Sequence, residues 1–152
     1  ALEIKKPMYA CLENVAAMVS EKFLPMFNMW QTELERNGYV NFPQVLNAKD
    51  YGVPQNRERI FLWSVRDDGD NPKYYFPKPF KLEKRLKDVL EPKVDKRYYL
   101  SDFTVQKFIE HCDRKQLEGC GFKFEPTDGE GHAKAITSRN GSRETDNFLY
   151  DE

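Results

Sequence analysis

Arg57 and Arg59 sit two residues apart at the mouth of the apolar run Ile60-Phe61-Leu62-Trp63-Ser64-Val65, just after the turn-forming stretch Asp50-Tyr51-Gly52-Val53-Pro54-Gln55-Asn56. In a strand, side chains two apart share one face, so the two guanidinium groups would project together beside Gln55. Such a fork of donors suits a phosphate or a planar carbonyl-bearing group. The plain alternative is a hairpin whose arginines are simply solvated, since exposed charges are the norm. A second feature is Glu13, which closes the short apolar run Met8-Tyr9-Ala10-Cys11-Leu12. That run reads as a buried strand, and in open α/β sheets ligands bind at the carboxyl ends of strands. Glu13 is then either a carboxyl placed for chemistry or one that caps or salt-bridges a nearby loop.

Taken together, the two stretches resemble the cytosine-5 DNA methyltransferase family. That family carries a Glu-Asn-Val motif at the end of one strand, and further on an Asn-Ala-x-Asp-Tyr-Gly-Val-Pro-Gln-x-Arg-x-Arg motif. Here the first reads Glu13-Asn14-Val15. The second reads Asn47-Ala48-Lys49-Asp50-Tyr51-Gly52-Val53-Pro54-Gln55-Asn56-Arg57-Glu58-Arg59, a match at every fixed position. The resemblance covers residues 7–66 firmly and the remainder weakly. It implies an α/β fold, the second half of a Rossmann-like methyltransferase sheet ending in an antiparallel hairpin, with a small irregular α+β recognition region. The layout looks more like a bacterial or phage enzyme, with restriction-modification among its roles, than a large chromatin-associated one.

The implied reaction moves a methyl group from S-adenosyl-L-methionine to carbon 5 of a cytosine extruded from double-stranded DNA. Carbon 5 is a poor nucleophile until a thiolate adds to carbon 6, after which charge builds toward ring nitrogen 3. A carboxyl held against that nitrogen can donate a proton or a strong hydrogen bond, which is general acid catalysis. The resemblance gives this role to Glu13, puts Arg59 near the carbonyl oxygen of the base and Arg57 on the phosphate backbone, and has Gln55 hold the loop. Burial of the acid would favour its protonated form, whereas a neighbouring arginine would favour the carboxylate.

The family's nucleophile lies in a Pro-Cys motif upstream of Glu-Asn-Val, and no Pro-Cys occurs in these 152 residues. Cys11 is expected to be a packed small apolar residue. The glycine-rich cofactor loop of the family has no counterpart either. The chain therefore reads as part of the enzyme, inactive alone, with the missing N-terminal half as a possible partner. Two other readings stay open: a DNA-binding remnant without chemistry, or one subunit of a split methyltransferase. By position in the recognition region, Lys123, Lys134, Arg139 and Arg143 are candidate DNA contacts, against a plain reading as solvated turns. His111, Cys112, Cys120 and His132 match no standard zinc spacing, so no metal is expected.

Bulk properties bound these readings. The chain has room for one domain and part of another, with residues 1–80 expected as the C-terminal half of the catalytic domain and 81–152 as linker and partial target-recognition region. Its net charge is −1, low for a free-standing DNA binder, although counterion release needs only a local basic surface. No apolar run approaches the roughly 20 residues that span a bilayer, and three scattered cysteines fit reduced thiols in the cytoplasm. Pro25 should open a helix whose Met26, Phe27, Trp30 and Leu34 pack on a sheet, with Asn37-Gly38 ending it. Residues 39–46 read as a strand that Pro43 confines to an edge or bulged position, antiparallel to the strand 60–65. Residues 81–90 suit a short basic amphipathic helix. Ser101 should cap a helix from Asp102 with Phe103, Phe108 and Ile109 inward, and 133–138 a short strand.

Overall fold

The computed structural model describes residues 5–121, 123–138 and 141–150. Its elements fall into two compact units: one runs to Tyr51 and resumes over Arg57–Phe80, and the other comprises Gly52–Asn56 and the chain from Lys81 onward. Among the described residues, no helix is long and apolar enough to cross a membrane.

The first unit is a three-stranded sheet backed by one helix. Strand β1 spans Tyr9–Val15, helix α1 Leu24–Arg36, β2 Tyr39–Asn47 and β4 Glu58–Arg66, with the two-residue β3 (Gln55–Asn56) lying in the second unit. The order is β1-β4-β2, and β4 runs antiparallel to both neighbours. Strands β1 and β2 are therefore parallel to each other and joined through α1, while β4 returns between them. Pro43 falls on the edge strand β2, where its missing donor breaks no inner ladder.

Alternation sets the two faces. Ile60, Leu62 and Ser64 of β4 point to the helix side and are all but fully buried; Ile60 and Leu62 meet Phe27 of α1 and Met18 of the turn Ala16–Val19, with Leu12, Val19 and Leu34 packed around them. Two polar links tie this layer: Ser64 Oγ donates to Asn41 Oδ1 at 2.7 Å, and Asn41 Nδ2 donates to the Gln31 carbonyl at 2.9 Å. The opposite face carries Cys11, Glu13, Arg59, Phe61 and Trp63. There the chain beyond β4 folds back so that the Tyr74 ring stacks on Trp63 with centroids 5.0 Å apart, and Phe76 meets Tyr74 edge-on at 4.9 Å.

Helix α1 starts with Pro25 in its first turn and stops at Asn37-Gly38, where Gly38 takes φ +84°, a conformation that suits glycine. Only part of the expected stripe is inward. Phe27 and Leu34, seven apart, face the sheet, whereas Met26 and Trp30 are 44% and 41% exposed, lying to the side of a sheet three strands wide. Strand β1 is likewise not the buried strand expected: its side chains alternate between exposed and half-buried, because it is an edge strand. It also runs two residues past Glu13 rather than ending there.

The second unit contains α2 (Asp102–Leu117) and β5 (Ala133–Lys134), which pairs in parallel with β3. Ser101 Oγ accepts from the Thr104 N–H at 3.2 Å, the cap the sequence announces. The inward face of α2 is built on Phe108, whose ring lies 5.5 Å from Phe124 and 5.7 Å from Phe148, and on buried Cys112. Phe103 and Ile109, expected inside, are 69% and 40% exposed. The expected helix over 81–90 shrinks to a 3₁₀ turn at Leu86–Val89. There the Leu86 and Lys87 N–H groups donate to the Gly131 and Gly129 carbonyls instead of building a helix, and Glu130 pairs with both Arg85 and Lys87. The strand expected over 133–138 is confined to its first two residues.

Candidate active site

The register of β1 against β4 puts Val15 opposite Arg59 and Glu13 opposite Phe61. Glu13 and Arg59 are thus diagonal neighbours on one face, within reach for long side chains. Arg59 Nε forms an ion pair with Glu13 Oε1 at 2.9 Å, and Arg59 Nη1 donates a hydrogen bond to the Glu58 carbonyl at 2.7 Å. The second oxygen of Glu13 and the Nη2 end of Arg59 have no ion-pair or hydrogen-bond partner among the described residues. The arginine side chain is 20% exposed and the glutamate 48%. A fixed donor edge thus stands beside an acid that keeps one oxygen available, a pattern suited to the edge of a planar amide-like ring.

Cys11 lies one pleat behind Glu13 on that face and is exposed, not the packed apolar residue expected, because β1 is an edge strand. Partial desolvation of its sulfur, and then the charge of Glu13, raise the thiol above its ordinary value. A thiol so placed is a poor source of thiolate.

The three-way fork of Gln55, Arg57 and Arg59 is not formed on one strand. Arg57 precedes β4, and its N–H, instead of entering the ladder, donates to Asn47 Oδ1 at 3.1 Å. Gln55 belongs to the second unit, where it pairs with Ala133. Among the described residues the Arg57 side chain has no ion pair, and it is half-buried.

The basic candidates of the second unit differ in availability. Lys123 lies 3.6 Å from Glu125 on the surface. Lys134 is built into the unit: its Nζ donates to the Thr145 carbonyl at 3.2 Å and its N–H to Asn147 Oδ1 at 2.7 Å. Arg143 is exposed, with its N–H bonded to Asp146. Arg139 lies outside the described residues. His111 Nδ1 accepts from Arg114 Nη2 at 3.1 Å and its Nε2 stands 3.4 Å from Glu144, and Cys112 is buried with its thiol raised by that burial.

Asn47, the first residue of the longer motif, gains a role of its own only in the structure. It is buried at the end of β2, and its side-chain oxygen accepts from the N–H groups of both Lys49 and Arg57. The signal was an asparagine two residues ahead of a turn, the arrangement of an Asx turn.

With this geometry in place, the likeness to known proteins is direct. The model of the C-5 cytosine-specific DNA methylase family matches residues 1–149, and the chain belongs to that family. The type II methyltransferase M.HhaI of Haemophilus parahaemolyticus is 35% identical over 140 residues, which are 92% of this chain and 39% of that protein. The type II methyltransferase M2.ScrFI of Lactococcus lactis subsp. cremoris is 39% identical over 104 residues, 68% of this chain and 28% of that one. Among solved structures, a mutant of DNMT2 from Spodoptera frugiperda superimposes with a TM-score of 0.67 at 17% identity, covering 93% of this chain and 40% of its own. The fold is that of the latter part of a Rossmann-like methyltransferase. The chain spans well under half the length of these relatives.

Proposed function

We propose that this chain supplies the base-gripping part of a DNA (cytosine-5-)-methyltransferase. Glu13 holds ring nitrogen 3 of an extruded cytosine and supplies its proton or hydrogen bond, while Arg59 holds the carbonyl oxygen of the same base. Arg57 and Gln55, with Lys123, Lys134, Arg139 and Arg143, serve the nucleic-acid backbone and recognition. Residues 1–80 form the latter part of the catalytic domain, and 81–152 form the linker and part of the target-recognition region. The carbon-6 nucleophile and the main S-adenosyl-L-methionine contacts come from residues outside this chain, and the substrate is double-stranded DNA. The observation that carries this reading is the Glu13–Arg59 pair, 2.9 Å apart on one face with an open edge on each partner.

When bound, S-adenosyl-L-methionine supplies the methyl group. This chain's own residues orient the base and move a proton. Glu13, with one oxygen on Arg59 Nε, offers the other to the pyrimidine. As charge gathers on the ring, the acid's proton shifts toward nitrogen 3, and the Arg59 guanidinium then faces a full carboxylate, which stabilises that arrangement. The test is a chimera in which residues 7–66 replace the corresponding segment of M.HhaI. The chimera should methylate DNA, and Glu13→Gln or Arg59→Ala within it should lower kcat by about a hundredfold or more, the usual range for an acid in proton transfer. Transfer by either variant at the parent chimera's rate removes the role.

A further inference from the structure

We infer that Asn47 is the positioning residue for Arg59, an inference that rests on the base-gripping role proposed above for its functional meaning. Asn47 ends β2, is 8% exposed, and stands opposite Glu58 in the ladder, one step before the pair Leu46–Arg59. Its Oδ1 accepts from Lys49 N–H at 3.3 Å and from Arg57 N–H at 3.1 Å, while the Ala48 N–H donates to the Arg57 carbonyl at 3.0 Å. The chain leaves the first unit after Tyr51 and re-enters at Arg57. One carboxamide oxygen therefore holds both sides of that excursion at its neck.

The connection to the site is through the backbone. Anchoring the Arg57 amide fixes the peptide that follows, and with it the direction of the Glu58 carbonyl. That carbonyl accepts from Arg59 Nη1 at 2.7 Å, so it sets the rotation of the guanidinium about its own axis. Nε is then left on Glu13 and Nη2 faces outward. Glu13 alone would leave Arg59 one contact and a choice of rotamers; the Glu58 carbonyl removes that choice, and Asn47 holds the carbonyl. The bonds Asn47 accepts are from backbone N–H groups, so its effect on Arg59 is one of placement through the backbone. What the two N–H groups require is an acceptor oxygen carried at this length at a buried strand end.

The test uses the chain itself, labelled with nitrogen-15, and follows hydrogen exchange of the Arg59 Nη1–H together with the amides of Ile60 to Val65. In Asn47→Ala the Arg59 Nη1–H, released from the Glu58 carbonyl, should exchange about tenfold faster, the size expected for one lost hydrogen bond of ordinary net strength, while the β4 amides keep their protection. Asn47→Asp, which retains an acceptor oxygen at the same reach, should keep the Arg59 signal protected. If the alanine variant does not fold, Asn47→Gln, whose carboxamide is carried one methylene away, is read in its place with the same expectation of loss. Unchanged Arg59 exchange in the alanine or glutamine variant overturns the inference. So does equal loss in Asn47→Asp, or a collapse of protection along the whole of β4. The readout contains neither base nor cofactor. A negative result here leaves the proposed function standing, and a failed Glu13 or Arg59 chimera leaves this result untouched.

Discussion

Arg59 makes three separable uses of one planar group: Nε for Glu13, Nη1 for the Glu58 carbonyl, and Nη2 for whatever meets the open edge. A lysine has a single ammonium on a flexible stem and cannot hold all three directions at once. In the M.HhaI chimera, Arg59→Lys should therefore cut kcat at least about tenfold. Its thermal stability should change by less than about 1 kcal/mol, because an ion pair with a half-exposed partner is worth little. Steady-state kinetics and a melting curve on the same preparation check both halves, and preserved turnover would show that charge alone suffices. At this scale the sequence told much: the resemblance of its two motifs to the family named Glu13 and Arg59, the two residues that the structure brings together. It misled on Cys11, because the burial of a strand depends on its place in the sheet.

Elements were legible where local chemistry decides them. Pro25 and Gly38 bound α1 much as expected, Ser101 caps α2, and Pro43 sits on an edge strand. They were illegible where a distant segment wins. The basic stretch around Arg85 has helical periodicity, yet its N–H groups go to the Gly129–Gly131 turn, and no local pattern encodes that partner. Gly129 cannot be replaced freely, since it takes φ +79° and an added Cβ would lie 3.1 Å from that of Lys87. The same junction gives a pH prediction. The hydrogen bond from Arg85 holds the Asp88 carboxyl below its ordinary value, and the bond from Lys87 does so for Glu130. A carboxyl lowered in the folded state stabilises above its unfolded value and loses that contribution as pH falls through its folded one. Protection of the Leu86 and Lys87 amides should thus hold from neutrality down to the ordinary carboxylate range of about 4 and decline below it. Hydrogen exchange as a function of pH reads this, and protection that is flat through the acid range would show that the backbone bonds suffice alone.

For the molecule as a whole, family membership and partial length together shape what to expect. The chain matches the family over residues 1–149 while covering 39% of M.HhaI, and it contains no Pro-Cys pair. Incubated with DNA and S-adenosyl-L-methionine carrying a labelled methyl group, it should give no incorporation by itself. Label above background would place a nucleophile and a cofactor site within these residues and displace the proposal. The partition into two units was only partly readable. Proline and aspartate-glycine punctuation marks the stretch before residue 80, but that Gly52–Asn56 packs with the later unit depends on the parallel pairing of β3 with β5. Two-residue strands leave no periodic trace in a sequence.

The stack of Tyr74 on Trp63 makes the sheet its own optical probe. The indole nitrogen of Trp63 is shielded from solvent and has no hydrogen-bond partner among the described residues, a setting that should give short-wavelength emission, whereas Trp30, 41% exposed on α1, should emit as a wet indole. In a Trp30→Phe background, a red shift would signal the aromatic strap peeling from β4, with no dye attached and at the cost of one surface substitution.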